Sequence, residues 1–588
     1  MFSGFLAPTN LAVSPAPISR VLLIGGCIFD SWHEVIGRIT PETRVDHRLL
    51  KHVMDPGADL GPYDLRIAQA SLRKAIPEYL TMRLSYADIA AHEALFRRAV
   101  DFIRSHVELI RLLPSGPPTF VLNYMPPQQN PIGRLLPRYD LRNPVHFIEE
   151  LNRALYDIVA AIPNSHVLDI AQIGASVGRQ RFQDDPFCLT AHGGFVVDYD
   201  YGFDGERLEP QMPLTSRFDF ATQLAIESFW NEAQAMYRTL RGVDRVKVLC
   251  VDLDDTLWRG VAAEQEDVDP VAMEGWPLGL AEALTVLRRR GVVLAIISKN
   301  DETRVREIWP QLFSGKLMLE DFAIRKIGWR PKPEAMAEVI AEANVLPESV
   351  VFLDDNPIER ALMKSVHPLV RVIESPHVDW RRILLWCSEM QVDIITEESS
   401  SRNVMIQAQV QRDSDRLKLG QEEFLRSLGL RVDLNRIDHA EDPQFQRALE
   451  LVNKTNQFNT TGRRWTAGDS TTFLSSGGQW ITFKVADRYT NYGLVGVVVI
   501  AAGEIHQFVM SCRVFDLGVE LAVLATLSRA MALKARVIET PKNGPCQLVF
   551  KEAGWHFDGD IWRNAGVESL VPAHITVDRA PERALTAV

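Results

Sequence analysis

The sequence predicts a multidomain α/β protein, and three observations carry this prediction. The chain has 588 residues, which suits about two to four domains. Its apolar fraction of 46% supports full cores and argues against large-scale disorder. Through residues 18–395, short apolar runs alternate with helical stretches, as expected for parallel sheets covered by helices. We therefore expect layered α/β domains in this part of the chain.

Charge and cysteine usage narrow the class of protein. The formal net charge of −12 argues against nucleic acid or an anionic membrane as the main partner. No apolar run approaches the length of a membrane span, and Met1 to Ile18 carries no basic residue of a secretory signal. The six cysteines are scattered without a Cys-x-x-Cys pair, which is typical of reduced thiols. These features predict a cytoplasmic protein.

Residues 1–240 are predicted to form the first α/β domain. Its apolar strands alternate with helices, which suggests an α/β layer fold. The expected strands are Val21–Ile24, Thr119–Leu122 and His166–Ile170, and the expected helices are Ala90–Leu112 and Pro144–Ile162. The Pro-, Gly- and Asp-rich segment 183–216 is expected to be a loop.

Residues 241–398 are predicted to form a second, parallel-sheet domain. Its three strands are nearly continuous apolar runs, as expected where both faces are covered: Val246–Val251, Val292–Ile297 and Val350–Leu353. Polar residues follow each run, namely Asp252, Ser298 and Asp354. Ligands bind beyond the carboxyl ends of such strands, so these side chains should converge on one site.

Residues 399–570 are predicted to form a third domain, followed by a loosely held tail at 571–588. A charged helix is expected over Met405–Leu428, a hairpin-rich stretch over Trp480–Val514 and an apolar helix over Val519–Ala535. The change from alternating strands and helices to hairpins indicates a fold different from the first two.

The stretch Val248 to Trp258 carries the strongest chemical signal. A buried strand runs directly into Asp252 and Asp254, which are followed by the hydroxyl of Thr256. Paired carboxylates at a sheet rim need a metal, a cation or a proton to offset their charge. We therefore predict a Mg²⁺ ion and a phosphate-bearing substrate at this edge.

The second domain resembles the haloacid dehalogenase (HAD) superfamily, with its fold in a form that lacks a large cap. Four stretches occur in the order of that family: Asp252-Leu-Asp254-Asp-Thr256, Ser298-Lys299-Asn300, Lys332 in Trp-Arg-Pro-Lys-Pro, and Asp354-Asp355. The gaps between the first three are too short for a sizeable cap domain. The resemblance therefore implies an open phosphatase site.

The resemblance also implies residue roles. Asp252 would be the nucleophile that forms an aspartyl-phosphate, and Asp254 would act as acid and base. Mg²⁺ would be held by Asp252, the backbone carbonyl of Asp254, and Asp354 or Asp355. The residues expected to bind the phosphate or the rest of the substrate are Thr256, Ser298, Lys299, Asn300 and Lys332.

Longer stretches resemble the FkbH-like branch of that superfamily. They are Asp254–Trp258, Ile297–Asp301, Phe352–Arg360, Lys454–Asn459, Tyr492–Val495 and Ser511–Arg513. Proteins of this branch load a glyceryl unit from 1,3-bisphosphoglycerate onto the phosphopantetheine arm of an acyl carrier protein in polyketide pathways. The resemblance implies that this chain acts on a phosphorylated acyl donor and binds an acyl carrier protein. Asn456 and Asn459 would then bind a hydroxylated substrate or a pantetheine amide.

The third domain resembles GNAT acyltransferases. Their glycine-rich loop corresponds here to Arg513-Val-Phe-Asp516-Leu-Gly518, in which Asp516 replaces the first glycine. A carboxylate at that point would repel a phosphate, which argues against ordinary coenzyme A binding and less against a carrier arm with a single phosphodiester. Arg513 would contact that arm, and Cys512 could hold the acyl group.

The first domain resembles SGNH hydrolases. Cys27 follows a strand where that family places its nucleophile, and Asn123 resembles a later motif. No Asp-x-x-His stretch near residue 215 supplies a base, so a degenerate docking domain is favoured over an active Cys27 enzyme. Three functions remain open for the whole chain: a glyceryl transferase-phosphatase, a plain magnesium phosphatase, or a non-catalytic scaffold that docks a carrier protein.

Overall fold

The computed structural model describes most of the chain. The described residues are 4–49, 62–76, 84–114, 116–185, 194–196, 205–209, 212–261, 270–541, 543–564 and 570–579. They form three sheets in chain order, each packed with helices. The predicted multidomain α/β class is therefore confirmed. Cys188 and most of the predicted loop 183–216 lie outside the described residues.

The first sheet has five parallel strands in the order β2-β1-β3-β4-β5. The strands are β1 Arg20–Ile24, β2 Arg44–Arg48, β3 Leu65–Ala68, β4 Thr119–Leu122 and β5 Ser165–Leu168. The helices are α1 Asp30–Ile39, α2 Leu72–Ala75, α3 Ile89–Val107, α4 Pro144–Ala160, α5 Ile170–Val177 and α6 Thr222–Arg241. Val21 and Leu23 pack into one core cluster and Leu22 and Ile24 into another, so helices cover both faces.

The second sheet also has five parallel strands, in the order β10-β9-β6-β7-β8. The strands are β6 Val248–Val251, β7 Val293–Ser298, β8 Ile324–Ile327, β9 Val350–Leu353 and β10 Arg371–Val372. The helices are α7 Trp276–Arg289, α8 Glu302–Phe313, α9 Lys332–Ala343, α10 Pro357–Val366 and α11 His377–Trp386. All three predicted strands are present, and their continuous apolar runs follow from burial on both faces.

The third sheet has eight strands in the order β16-β17-β15-β14-β13-β12-β11-β18. They are β11 Leu430–Ile437, β12 Gln479–Ala486, β13 Asn491–Ala501, β14 Glu504–Met510, β15 Lys534–Ala535, β16 His556–Phe557, β17 Trp562–Arg563 and β18 Ile575–Arg579. The helices of this part are α12 Glu397–Lys418, α13 Gln421–Leu428, α14 Phe445–Lys454, α15 Ala467–Ser475, α16 Val519–Ala530 and α17 Val549–Glu552. Strands β11 to β14 pair antiparallel, so the predicted hairpin region is confirmed.

Three predictions in the third region are wrong in detail. The tail is not loose as far as Arg579, because β18 pairs in parallel with β11 from Leu430–Ile575 to Leu434–Arg579. The predicted single charged helix is two helices, α12 and α13, separated at Gly420. The predicted apolar helix ends at Ala530, and its last residues form the short strand β15.

The predicted domain limits also shift where segments contact a neighbouring domain. Leu11 is buried in the core of the second domain, and its carbonyl accepts a hydrogen bond from Arg371 at 2.9 Å. Helix α12 packs Ile406 and Val410 against that domain too. Farther along the same helix, Arg412 lies 3.2 Å from Asp487 of the third domain. Helix α12 is therefore shared between the two domains instead of opening the third.

Among the described residues, each helix is too short or too polar to span a lipid bilayer.

Candidate active site

The carboxyl ends of β6, β7 and β9 bring the predicted residues to one edge of the second sheet. Strand β6 lies between β7 and β9, and Val251 is in register with both Ile296 and Leu353. Asp252 follows β6, Ser298 ends β7 and Asp354 follows β9. All three are buried, with exposed fractions of 6%, 3% and 0%. Parallel pairing thus produces the predicted convergence.

Lys332 supplies a cation at the centre of this edge. Its Nζ lies 2.9 Å from Asp252 Oδ2 and 2.6 Å from Asp354 Oδ2. The side chain is positioned by the start of α9, where Pro331 and Pro333 flank Lys332 and fix the entry of the helix. Lys332 thus lies beside the predicted Asp252 and Asp354, and its described ion pairs are with these carboxylates.

Asp252, Asp354 and Lys332 form a buried triad with two acidic groups and one basic group. Burial raises the pKa of Asp252 well above the ordinary aspartate range; Lys332 opposes this shift, and Asp354 adds to it. Burial alone would lower the pKa of Lys332, but the two carboxylates prevail and raise it. One lysine cannot neutralise two ionised aspartates, so a further cation or a proton on Asp252 has to offset the remaining negative charge.

A third carboxylate completes a cluster suited to a metal. Oxygens of Asp252, Asp354 and Asp355 lie within 4.8 Å of one another, and no other such cluster occurs among the described residues. Oδ1 of Asp252 is buried and has no hydrogen-bond partner. An orphaned carboxylate oxygen beside excess negative charge fits a hard divalent cation with oxygen ligands, such as Mg²⁺. The residues present therefore fit the predicted metal.

Thr256 positions one of these carboxylates. Its hydroxyl donates to Asp355 Oδ1 at 3.1 Å and accepts from the Asp355 backbone N–H at 3.0 Å. The side chain is fully buried. We therefore assign Thr256 to holding Asp355, rather than to direct contact with phosphate as predicted.

Asp254 is held by two side chains. Asn300 Nδ2 donates to its Oδ2 at 2.9 Å, and Trp258 Nε1 donates to its Oδ1 at 3.0 Å. Asn300 and Trp258 are each only 1% exposed. Asn300, predicted to bind the substrate, thus contacts the predicted acid-base group. Trp258 was missed as a site residue, although its i+4 spacing from Asp254 was a usable signal.

The rim of the site carries basic residues that are already engaged. Lys299, predicted to bind the substrate, lies at the surface and forms a 2.6 Å ion pair with Glu359. Arg360 was not predicted; its Nη1 donates to the backbone carbonyls of Asp354 and Asp355 at 2.8 and 2.6 Å. These contacts fix the loop that presents the two carboxylates.

Asn456 and Asn459, the asparagines predicted to bind the carrier arm, lie in the third domain and differ in burial. Asn459 is 1% exposed, and its Oδ1 accepts from Gln507 Nε2 at 2.7 Å and from the Gly462 N–H at 2.8 Å. Its Nδ2 donates to the Thr455 carbonyl at 3.0 Å. Because these bonds use its polar atoms inside the domain, we assign Asn459 a structural role. Asn456 is exposed and accepts from Arg464.

Cys512 and Arg513 follow β14 in the third sheet, whereas Asp252 follows β6 in the second. Cys512 is exposed and begins a single turn over Cys512–Val514. Arg513 Nε donates to Ser511 Oγ at 3.1 Å. Asp516 is exposed and has a φ of +60°, in the left-handed region that glycine favours.

In the first domain, Cys27 is exposed just beyond β1. Asn123 is 5% exposed; its Nδ2 donates to Asp169 Oδ1 at 2.6 Å, and its Oδ1 accepts from the Ala171 N–H at 3.2 Å. Asp169 is the N-cap of α5. Asn123 thus contacts the residues at the start of α5.

Comparisons with known proteins give distant structural likenesses. No known family and no curated protein matches the chain. The chain is similar to the N-terminal part of protein BF1531 from Bacteroides fragilis, which contains a phosphatase domain complexed with Mg: identity is 20%, the TM-score is 0.43, and 62% of this chain and 91% of that one are covered. A hypothetical protein from Xanthomonas campestris, XCC2798, gives 16% identity and a TM-score of 0.18 over 31% of this chain and 93% of that one. Similarity at this level carries no argument about activity, which has to come from the site.

Proposed function

We propose that the second domain is a Mg²⁺-dependent phosphatase of the HAD type. The observation that carries this proposal is the buried, unpartnered Oδ1 of Asp252 inside a cluster of three carboxylates and one lysine. Such an oxygen is costly to bury unless it serves a ligand or a reaction. Phosphoryl transfer depends mainly on positioning and charge neutralisation, and this edge offers both.

The side chains divide the reaction into two steps. In the first, an Asp252 carboxylate oxygen bonds to phosphorus while the bond from phosphorus to the leaving oxygen breaks, and Asp254 donates its proton to that oxygen. In the second, Asp254 takes a proton from water, whose oxygen attacks the aspartyl-phosphate and releases inorganic phosphate. Lys332 and the Ser298 hydroxyl would bind the phosphoryl oxygens.

The metal would be held by Asp252, the backbone carbonyl of Asp254 and a carboxylate of the Asp354–Asp355 pair. When bound, Mg²⁺ neutralises charge on the phosphoryl group and favours the ionised form of Asp252. Asp354 already bonds Lys332 through Oδ2 and the Asn356 N–H through Oδ1. Asp355, the more exposed of the pair, is therefore the preferred second carboxylate ligand.

The finer proposal is acyl loading onto a carrier protein in polyketide-type biosynthesis. The donor would be 1,3-bisphosphoglycerate or a related phosphorylated hydroxyacyl compound. A thiolate bonds to the carbonyl carbon while the bond from that carbon to the phosphate oxygen breaks, which releases inorganic phosphate. If the thiolate is that of Cys512, the pantetheine sulfur then displaces it to form the carrier thioester, and the phosphatase site hydrolyses the remaining phosphate ester. The exposed thiol of Cys512, in the GNAT-like domain, supports this proposal. The SGNH-like first domain would dock the carrier.

Two readings compete with acyl loading: a phosphatase acting on another substrate, and a non-catalytic docking scaffold. A cytoplasmic location belongs to the proposal, and it is supported by the free thiols of Cys27, Cys250, Cys387, Cys512 and Cys546. Nucleic acid and membrane are not among the proposed partners.

One experiment separates the three readings. The protein is incubated with 1,3-bisphosphoglycerate, Mg²⁺ and a phosphopantetheinylated carrier protein, and the carrier is analysed by intact mass. A glyceryl adduct on the carrier arm supports acyl loading. Phosphate release without the adduct supports the plain phosphatase, and binding with neither supports the scaffold.

The cysteine assignment has its own matched test. Cys512→Ala should abolish or strongly slow carrier loading, while Cys27→Ala, which removes the other exposed thiol among the described cysteines, should leave loading unchanged. Phosphate release from an alkyl phosphate should persist in both variants. Equal loading by Cys512→Ala and the unmodified protein would remove Cys512 from the reaction, and loss of loading in Cys27→Ala would transfer the role to Cys27.

A further inference from the structure

Asp254 is fixed by a clamp formed by Trp258 and Asn300. The indole Nε1–H of Trp258 donates to one oxygen of the carboxylate at 3.0 Å, and the amide of Asn300 donates to the other at 2.9 Å. Two donors on opposite oxygens of one carboxylate restrict rotation about its terminal bond. The plane of the Asp254 carboxylate is therefore set by its neighbours.

Both donors are rigid because the fold holds them. Trp258 is 1% exposed, and its ring packs edge-to-face against Trp309 with centroids 6.0 Å apart. Asn300 is also 1% exposed, and its Oδ1 accepts from the Asp301 N–H at 3.0 Å, where Asp301 caps α8. Neither donor can follow a displaced carboxylate without disturbing a core contact. The clamp therefore ties the orientation of Asp254 to the core of the second domain.

We infer that Trp258 and Asn300 are positioning residues that aim the proton-bearing oxygen of Asp254 at the leaving group. This inference rests on the proposed phosphatase function. Nearby Asp255 has a φ of +50°, so the chain turns sharply directly after Asp254. A carboxylate placed at such a turn needs side-chain contacts to hold one orientation. The clamp supplies them.

The inference predicts a dependence on the leaving group. A phosphate ester with a weakly basic leaving oxygen departs without much help from an acid, whereas a more basic one needs a well-aimed proton. A misaligned Asp254 should therefore slow phenyl phosphate more than p-nitrophenyl phosphate. A general loss of structure would slow both substrates alike.

The test measures kcat and KM for both substrates in the full chain with Mg²⁺. Trp258→Phe keeps most of the buried ring but removes the N–H, and it should lower kcat for phenyl phosphate about tenfold and for p-nitrophenyl phosphate by less than about threefold, with KM unchanged. The matched control is Trp380→Phe, because Trp380 is likewise buried in the second domain, donates to the Ser375 carbonyl at 2.9 Å, and makes no described hydrogen bond or ring contact with Trp258 or Asp254. It should leave the ratio of the two kcat values unchanged.

Asn300→Ala provides an independent variant with the same expected direction, and it decides the matter alone if Trp258→Phe does not fold. An unchanged ratio in a folded clamp variant, or an equal change in Trp380→Phe, overturns the inference. Absence of turnover in the unmodified protein contradicts the proposed function itself, and the clamp then has no positioning role. Turnover with an unchanged ratio contradicts the clamp alone.

Discussion

Two buried polar clusters of this protein differ in how completely they are hydrogen-bonded. Around Asn459 in the third domain, the described bonds engage both the carbonyl oxygen and the amide of the side chain. At the edge of the second sheet, Asp252 retains a buried oxygen without a partner and shares one lysine with Asp354. A saturated cluster stabilises the fold, whereas a buried carboxylate oxygen that lacks a partner and lies beside other carboxylates can serve a ligand or a reaction. The comparison therefore distinguishes the structural role of Asn459 from the functional role proposed for Asp252.

The largest expected effect comes from removing Lys332, the one basic side chain among the described residues that forms ion pairs with both Asp252 and Asp354. Lys332→Met leaves Asp252 and Asp354 buried side by side, and we expect the free energy of unfolding to fall by about 3–5 kcal/mol in Mg²⁺-free buffer. Urea denaturation measures the change. Lys299→Met, which breaks a more exposed ion pair with Glu359, is the control and should cost less than about 1 kcal/mol. Similar small losses in both variants would show that the triad is not electrostatically coupled as described.

The next effect tests the saturated cluster. Asn459→Ala removes the acceptor of the Gly462 N–H and one of the two described acceptors of the Gln507 amide, and it should lower the free energy of unfolding by about 2–3 kcal/mol. Phosphate release should be unchanged. The control Asn456→Ala, at an exposed position, should change stability by less than about 0.5 kcal/mol. If Asn459→Ala were stable but lost carrier loading, the original prediction that Asn459 binds the carrier arm would be restored.

The next prediction concerns Mg²⁺ binding at the carboxylate cluster of Asp252, Asp354 and Asp355. Mg²⁺ at about 100 times its dissociation constant should stabilise the protein by about 2.7 kcal/mol, and removal by EDTA should reverse the gain. Asp355→Asn should lose most of this gain in thermal denaturation. Asp255→Asn should retain it, because asparagine tolerates the φ of +50° at that position and Asp255 lies outside the carboxylate cluster. A full gain in Asp355→Asn would exclude Asp355 as a ligand.

The smallest effect concerns a structural carboxylate and its pH dependence. Burial would raise the pKa of Asp244, but the N–H groups of Ser14 and Val13 together with Arg238 lower it to about 2. A lowered folded-state pKa gives stability that is present above the unfolded pKa and lost as the pH falls toward the folded one. Asp244→Asn should therefore cost about 1–2 kcal/mol near neutral pH, allowing for solvent screening.

That deficit should shrink between about pH 4 and pH 2, because protonation removes the same charge from the unmodified protein. Urea denaturation over a pH series measures the difference between the two proteins. A deficit that grows as the pH falls would contradict the assignment of the lowered pKa to Asp244.

Much of the fold could be predicted because burial leaves a clear pattern. The strands of the second sheet are continuous apolar runs, and their polar ends identified the site edge. Strands β2 and β18 were not predicted, and each was missed for its own reason. Strand β2 has the sequence Arg-Val-Asp-His-Arg and lies at a sheet edge, where one side needs no apolar cover. Strand β18 pairs with a partner far away in the chain, which no local pattern reveals.

The sequence predicted which residues meet at this edge of the sheet better than it predicted the role of each residue. Asp252, Lys332 and the Asp354–Asp355 pair converge as expected. Thr256 and Asn300 were expected to contact the substrate, but each bonds a carboxylate of the site instead. Sequence spacing shows which residues meet, whereas the partner of each donor depends on distances of a few tenths of an ångström. For the same reason, the sequence did not show that Asn459 has a structural role among its polar neighbours.

The central claim is that the unsatisfied edge of the second sheet is a phosphatase site with Asp252 as nucleophile. The most direct test is phosphate release from p-nitrophenyl phosphate with Mg²⁺ by the unmodified protein and by Asp252→Asn. We expect turnover by the former and a loss of at least about a thousandfold in the variant, with its circular dichroism unchanged. Turnover by Asp252→Asn close to that of the unmodified protein would contradict the claim.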